Sequence, residues 1–144
     1  MFRKINIDYN RQYRVWLRYE PITEQKVLGE YRKSISSIIA HGDSQTLQTA
    51  KKEISNGING LLNKEVPLIE KTNKIEKQGA LIIGTPPTSK FIKGIDRKAE
   101  LQQAGKEGFI IESTRINNTP ATVIMAYTDI GVLYGVYHFL RMLQ

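Results

Sequence analysis

Ala126-Tyr127-Thr128-Asp129-Ile130-Gly131-Val132-Leu133-Tyr134-Gly135-Val136-Tyr137-His138-Phe139-Leu140-Arg141-Met142-Leu143-Gln144 decides how the rest of the chain is read. Thr128 and Asp129 carry short oxygen-bearing side chains that accept hydrogen bonds from the first free N–H groups of a helix, so one of the two is the expected N-cap. The negative charge of Asp129 also suits the positive end of a helix dipole. From Ile130 onward nearly every position is apolar or aromatic, and only His138 and Arg141 interrupt, which is the pattern of a helix buried all round. Gly131 and Gly135 lie four apart, on one face, and each costs roughly 1 kcal/mol relative to Ala in a helix interior. A neighbour packed too close to admit a Cβ is expected there. The helix runs into Met142-Leu143-Gln144 without a Gly or Asn cap or a polar tail, which predicts a domain taken from something longer.

At 144 residues the chain suits one domain, which would bury about two-thirds of its unfolded surface; two domains would each be marginal. With 40% hydrophobic and 24% charged residues, the composition is that of an ordinary globular protein. No apolar run approaches the roughly 18 residues of a membrane span. The N-terminal Met1-Phe2-Arg3-Lys4-Ile5-Asn6-Ile7-Asp8 lacks the apolar core of a secretory signal. The absence of cysteine excludes disulfides, thiol nucleophiles and zinc–thiolate sites, and leaves the compartment open. The net charge of +7 raises the question of nucleic acid, but Lys and Arg are scattered among Asp and Glu with no block of five or six like charges. Scattered charge gives weak, salt-labile attraction, so neither a nucleic-acid nor a membrane partner is expected. The nearest thing to a cluster is Arg11, Arg14 and Arg18 around Tyr13, Trp16 and Tyr19; on a strand, Arg14, Trp16 and Arg18 would share one face.

Tyr13–Tyr19 alternates with the period of a strand that Pro21 ends, and a polar segment through Gly29 leads to a second strand at Ser34–Ala40. His41-Gly42-Asp43-Ser44 reads as a turn with N-cap oxygens. Leu47, Ala50, Ile54, Ile58, Leu61 and Leu62 then recur by threes and fours against Lys51, Lys52 and Asn59, predicting a one-sided surface helix that ends near Asn63. Val66–Ile69 is a short strand that Pro67 confines to an edge. Glu70–Gln78 is a polar connection. Gly79-Ala80-Leu81-Ile82-Ile83-Gly84 has the look of a central strand covered on both faces. Lys98–Ala104 reads as a short helix closed by Gly105, and Phe109–Ser113 and Ala121–Ala126 as an antiparallel pair around Ile116-Asn117-Asn118-Thr119. The order predicts an α+β two-layer sandwich, a mixed β-sheet with two main helices packed on one face.

Candidate chemistry is sparse. His41 lies in a turn before a helix, where capping or solvation is the simpler role, and His138 lies in the terminal helix as a packing residue. No His or carboxylate grouping has metal-ligand spacing, so neither a metal nor a cofactor is expected. Gly84-Thr85-Pro86-Pro87-Thr88-Ser89-Lys90 follows a buried strand as a phosphate loop would, but two prolines remove two of the N–H donors such a loop needs and the final Gly-Lys-Ser/Thr is missing. Glu107, Glu112 and Asp129 stand near the ends of elements, and sequence cannot bring any two of them across a cleft. No active site is expected in this chain.

Thr128 to Gln144 closely resembles the segment that closes the N-terminal domain of α-glucuronidases of glycoside hydrolase family 67. Trp16-Leu17-Arg18-Tyr19, Gly79-Ala80-Leu81-Ile82-Ile83-Gly84-Thr85-Pro86 and Glu107-Gly108-Phe109-Ile110-Ile111 agree in type and order, so the likeness covers nearly the whole chain. A shorter Gly-x-x-Tyr-Gly version also resembles the accessory domain that precedes hexosaminidase barrels. Tyr127 departs from the pattern, which is expected to have Asn there. The resemblance implies a parent enzyme that removes glucuronic or 4-O-methyl-glucuronic acid from xylo-oligosaccharides with inversion, using carboxylates of a (β/α)8 barrel beyond Gln144; none of those carboxylates maps onto this chain. It further implies that the chain's partner is its own downstream barrel, and is compatible with a homodimeric parent. Trp16, Arg18, Asp129, Gly131, Tyr134 and Gly135 are the structural and interface candidates. Gly131 and Gly135 would form either a tight helix–sheet seam or a surface for the barrel. A rival reading is a carbohydrate-binding module in which Trp16, Tyr13 or Tyr127 stacks on a sugar while a nearby Arg or Lys pairs with a uronate.

Overall fold

The computed structural model describes residues 5–8 and 20–144. In chain order these form β1 (Ile5–Asp8), α1 (Gln25–Ser34), β2 (Ser37–Ala40), α2 (Gln45–Leu62), β3 (Leu68–Ile69), β4 (Ala80–Gly84), α3 (Lys90–Lys93), α4 (Lys98–Ala104), β5 (Gly108–Ile116), β6 (Thr119–Met125) and α5 (Asp129–Leu143). The strand expected at Tyr13–Tyr19, and with it Trp16 and Arg18, lies outside the described residues.

One mixed sheet takes the order β1-β5-β6-β4-β2-β3. β3, β2, β4 and β6 run parallel, and β5 is antiparallel to both β6 and β1. Side chains alternate across each strand, so the apolar runs divide into two cores. Ile38, Ala40, Leu81, Ile83, Phe109, Ile111 and Ile124 face the long helices α2 and α5. Ile39, Ala80, Ile82, Ile110, Val123 and Met125 face the other way, toward Phe91 and Ile92 of α3 and Leu101 of α4. The fold is the expected α+β sandwich, with its two main helices on one face and two short helices partly covering the second.

Local chemistry explains most boundaries. Ser44 caps α2 by accepting from Leu47 N at 3.1 Å, and Asn63 ends it in the left-handed conformation at φ 48°. Asn117 and Asn118, at φ 51° and 66°, make the two-residue turn that joins β5 to β6, with Ile116 opposite Thr119. Of the two oxygen-bearing residues before α5, Thr128 is the cap, accepting from Gly131 N at 3.1 Å, and Asp129 stands in the first turn. β3 is a two-residue edge strand as Pro67 requires, and the Pro67 carbonyl still accepts from Ile38 N at 2.9 Å.

Two expectations need correction. Gln25–Ser34 is a helix, not a polar lead-in, and the strand after it begins at Ser37 rather than Ser34. Only Leu28 of α1 is buried, so its periodic signal is faint, whereas its Gln, Lys, Glu and Arg residues favour helix. Arg32 also donates from Nε to Leu62 O at 2.9 Å, satisfying a carbonyl at the end of α2. Lys51 does not lie on a solvated face: it is 4% exposed. The apolar circumference of α5 is buried within the fold, as its sequence predicts. Its buried positions, from Gly131 to Leu143, are covered by the sheet on one side and by α2 on the other.

The glycines set that sandwich's spacing. A Cβ on Gly131 would meet Gly108 O at 2.6 Å and Ala126 Cβ at 2.7 Å, and one on Gly135 would meet Ile124 Cγ2 at 2.6 Å. On the opposite side, a Cβ on Gly57 of α2 would meet Leu140 Cδ2 at 2.5 Å. The two contacts differ in kind, because a carbonyl and a Cβ are fixed to backbone while a leucine tip can rotate. Gly131→Ala is expected to lower stability by about 2 kcal/mol despite its gain in helix propensity. Gly57→Ala is expected to stay within about 1 kcal/mol of the parent. Urea unfolding of the two variants measures the difference, and equal losses would show that the sheet side is no more rigid than the helix side.

His138 adds a pH term. Its ring lies 5.5 Å from that of Phe109, centroid to centroid, and burial lowers its pKa below the ordinary 6.5. The unfolded chain therefore binds this proton more readily than the folded one. Stability should be unaffected by His138 above pH 7 and should fall as pH drops below about 6.5. Between pH 7.5 and 5 the unfolding midpoint of the wild type is expected to fall more steeply than that of His138→Gln; parallel curves would remove His138 as the cause.

Candidate functional site

In sheets of this kind ligands collect at the carboxyl ends of parallel strands, especially where successive connections leave on opposite faces. β2 and β4 are such neighbours: the chain leaves β2 toward α2 on one face and leaves β4 toward α3 on the other. The rim formed by residues 41–44, 70–72, 85–89 and 126–129 is therefore the place to look for chemistry.

Most polar groups on this rim hold one another. Ser44 Oγ donates to Asp129 Oδ2 at 2.8 Å while capping α2, which ties the starts of the two long helices together. Thr128 Oγ1 caps α5 and donates to Lys106 O. Lys51 Nζ reaches from the buried side of α2 to Gly42 O at 2.5 Å and Glu70 Oε1 at 3.0 Å. His41 stacks on Phe91 at 6.0 Å, with Nε2 2.9 Å from Thr72 O. The Thr85-Pro86-Pro87-Thr88 segment closes on itself, Thr85 N donating to Thr88 Oγ1 at 3.0 Å, so it behaves as a strand-ending turn. Ser44 lies beside a carboxylate without an imidazole, and His41 is bound to backbone. Neither arrangement makes an activated nucleophile.

Two of the carboxylates named from sequence, Asp129 and Glu112, do not converge. Asp129 sits on the α5 face with Ser44, while Glu112 points to the opposite face, where its Oε1 and Oε2 accept from Arg97 Nε at 2.9 Å and Arg97 Nη2 at 3.0 Å. This fork raises the Arg97 pKa above its ordinary value, chiefly through the Glu112 hydrogen bonds. Its structural effect is to pin the start of α4 to β5. Among the described residues no group of three or more His, Cys, Asp or Glu could hold a metal ion. Gly131 and Gly135 face the sheet, and Tyr134 is buried in the core beside them.

A concave surface at the same end of the sheet is not self-satisfied. Pro86, Pro87, Ile92, Lys93, Ile95, Lys98, Leu101 and Tyr127 enclose a groove of about 490 Å³. Tyr127 is 52% exposed, the one exposed large hydrophobic side chain among the described residues. Sequence reading named Tyr127 and missed the rest, because Pro86, Lys93 and Lys98 come from three separate segments. Lys51 did leave a trace: it is four residues after Leu47 and three before Ile54, squarely on the apolar stripe.

The Arg97–Glu112 fork gives a direct energetic test. The Glu112 side chain is 8% exposed and that of Arg97 31%, so removing the guanidinium strands a buried carboxylate. Arg97→Met alone is expected to cost about 2–3 kcal/mol, and Arg97→Met with Glu112→Leu to recover most of it. A double-mutant cycle in urea decides this; strictly additive losses would mean the fork is not coupled.

The sequence profile for the glycosyl hydrolase family 67 N-terminus matches residues 15–139. Alpha-glucuronidase A of Emericella nidulans is 25% identical over 131 residues, which cover 89% of this chain and 14% of that enzyme. The chain thus spans about one-seventh of the length of this relative. A likeness running through β4, the β5–β6 hairpin and α5, the elements that build the core, makes this chain a member of glycoside hydrolase family 67, corresponding to the family's N-terminal domain.

Proposed function

We propose that the chain is a non-catalytic domain of an α-glucuronidase that removes glucuronic or 4-O-methyl-glucuronic acid from xylo-oligosaccharides, and that it acts as a scaffold positioning a catalytic (β/α)8 barrel. The observation that carries this reading is the rim: Ser44, Asp129, Lys51, Glu70 and His41 bind one another or backbone rather than facing a cleft. Groups held in this way stabilise a fold and are not free to act on a glycosidic bond. Family membership supplies the type of parent enzyme. Substrate cleavage then belongs to the barrel, and this domain's contribution is to its stability and placement, in a monomeric or homodimeric parent.

The purified chain is expected to release no glucuronic acid from an aldouronic acid substrate, and deleting it from a parent enzyme is expected to lower the melting temperature by several degrees. Turnover by the chain alone, or a truncated barrel with unchanged Tm and kcat/KM, would refute the scaffold role.

A further inference from the structure

We infer that the Tyr127 groove is a binding site for a carboxylated sugar. The choice of a sugar rests on the glycoside-hydrolase reading; the groove and its charge do not. Three features meet there. The exposed Tyr127 lines the groove together with Pro86, Pro87, Ile92, Ile95 and Leu101, which supply an apolar surface. The volume of about 490 Å³ falls within the range of small-molecule sites. Lys93 and Lys98, both exposed, line the same groove, and neither is in an ion pair among the described residues.

Lys51 and Arg97 each end on a carboxylate of their own fold. Lys93 and Lys98 flank an apolar groove instead, where a ligand would have to bring both a flat nonpolar face and a negative charge. A uronic acid residue has both. The C–H face of its pyranose ring lies against an aromatic plane, and its carboxylate takes up the ammonium groups. A bare phosphate or sulfate would leave the ring and prolines unused, and a neutral xylose chain would leave the lysines unused. Binding requires no bond-making step.

Titration calorimetry of the 144-residue chain with a glucuronic-acid-bearing xylo-oligosaccharide tests this, with the neutral oligosaccharide of equal length and inorganic phosphate as comparisons. A Kd on the order of millimolar is expected for the acidic ligand, weakened about tenfold or more by Tyr127→Ala and by Lys93→Gln with Lys98→Gln, and weakened by added salt. All three side chains are exposed, so thermal unfolding should confirm that the variants keep the fold. No binding at millimolar acidic ligand, equal binding of the neutral chain, phosphate binding as well as the sugar, or indifference to Tyr127→Ala would each overturn the assignment. Any of these results leaves the scaffold role standing, since that role is judged by deletion from the parent enzyme.

Discussion

The close approach of α5 to the sheet governs the architecture. Gly131 and Gly135 bring the helix backbone to distances at which a single methyl group would collide with Gly108 O, Ala126 Cβ or Ile124 Cγ2. This contact sets how deep Val132, Val136, Phe139 and Leu140 reach between sheet and α2. α2 answers with its own small residue, Gly57, opposite Leu140. The helix is thus held from both sides at a spacing that ordinary side chains would not allow. Two interior glycines cost roughly 1 kcal/mol each in helix propensity; burial of a helix that is apolar on nearly every face offsets this, at about 25 cal/mol per Å² removed from water.

That packing has a consequence for the rim. With α2 and α5 side by side on one face, their N-termini emerge together at the carboxyl ends of β2 and β6, where two positive helix ends would otherwise be neighbours. Asp129 in the first turn of α5, accepting from the Ser44 cap of α2, places one negative charge between them. Nearby, Lys51 satisfies the Gly42 carbonyl and Glu70 from beneath the same loop. The part of the rim between the starts of α2 and α5 is thereby closed by the electrostatic needs of those helices.

Much of this was legible in the sequence because the signals were local. The apolar run of β4 between two glycines, the paired Asn residues of the hairpin, the Gly-x-x-x-Gly face of α5 and the Thr-Asp cap each encode their structure within a few residues. α1 was illegible because a ten-residue helix that buries only Leu28 has almost no periodicity to read. The role of Lys51 was obscured for the opposite reason: residue type argued for solvent while position argued for the core, and a long aliphatic stem reconciles the two by burying its carbons and carrying its charge to Glu70. The all-round apolar pattern of α5 was read correctly as burial, but pattern alone cannot say who does the burying. Here the sheet and α2 do it, and membership in the family rests on the match over residues 15–139.

The same division between local and assembled features separates structure from function in this domain. Charges that meet a partner through the fold, such as Arg97 with Glu112 and Lys51 with Glu70, stabilise it and are unavailable for anything else. One surface that remains open at the rim is assembled from the turn after β4, the α3–α4 region and the corner before α5. Tyr127 is at that corner because Thr128 must cap α5 and donate to Lys106 O, which leaves the preceding side chain directed away from the core. The constraint that seats the helix therefore also presents the ring, and a site built this way can change its ligand preference through Tyr127, Lys93 and Lys98 without disturbing the packing beneath.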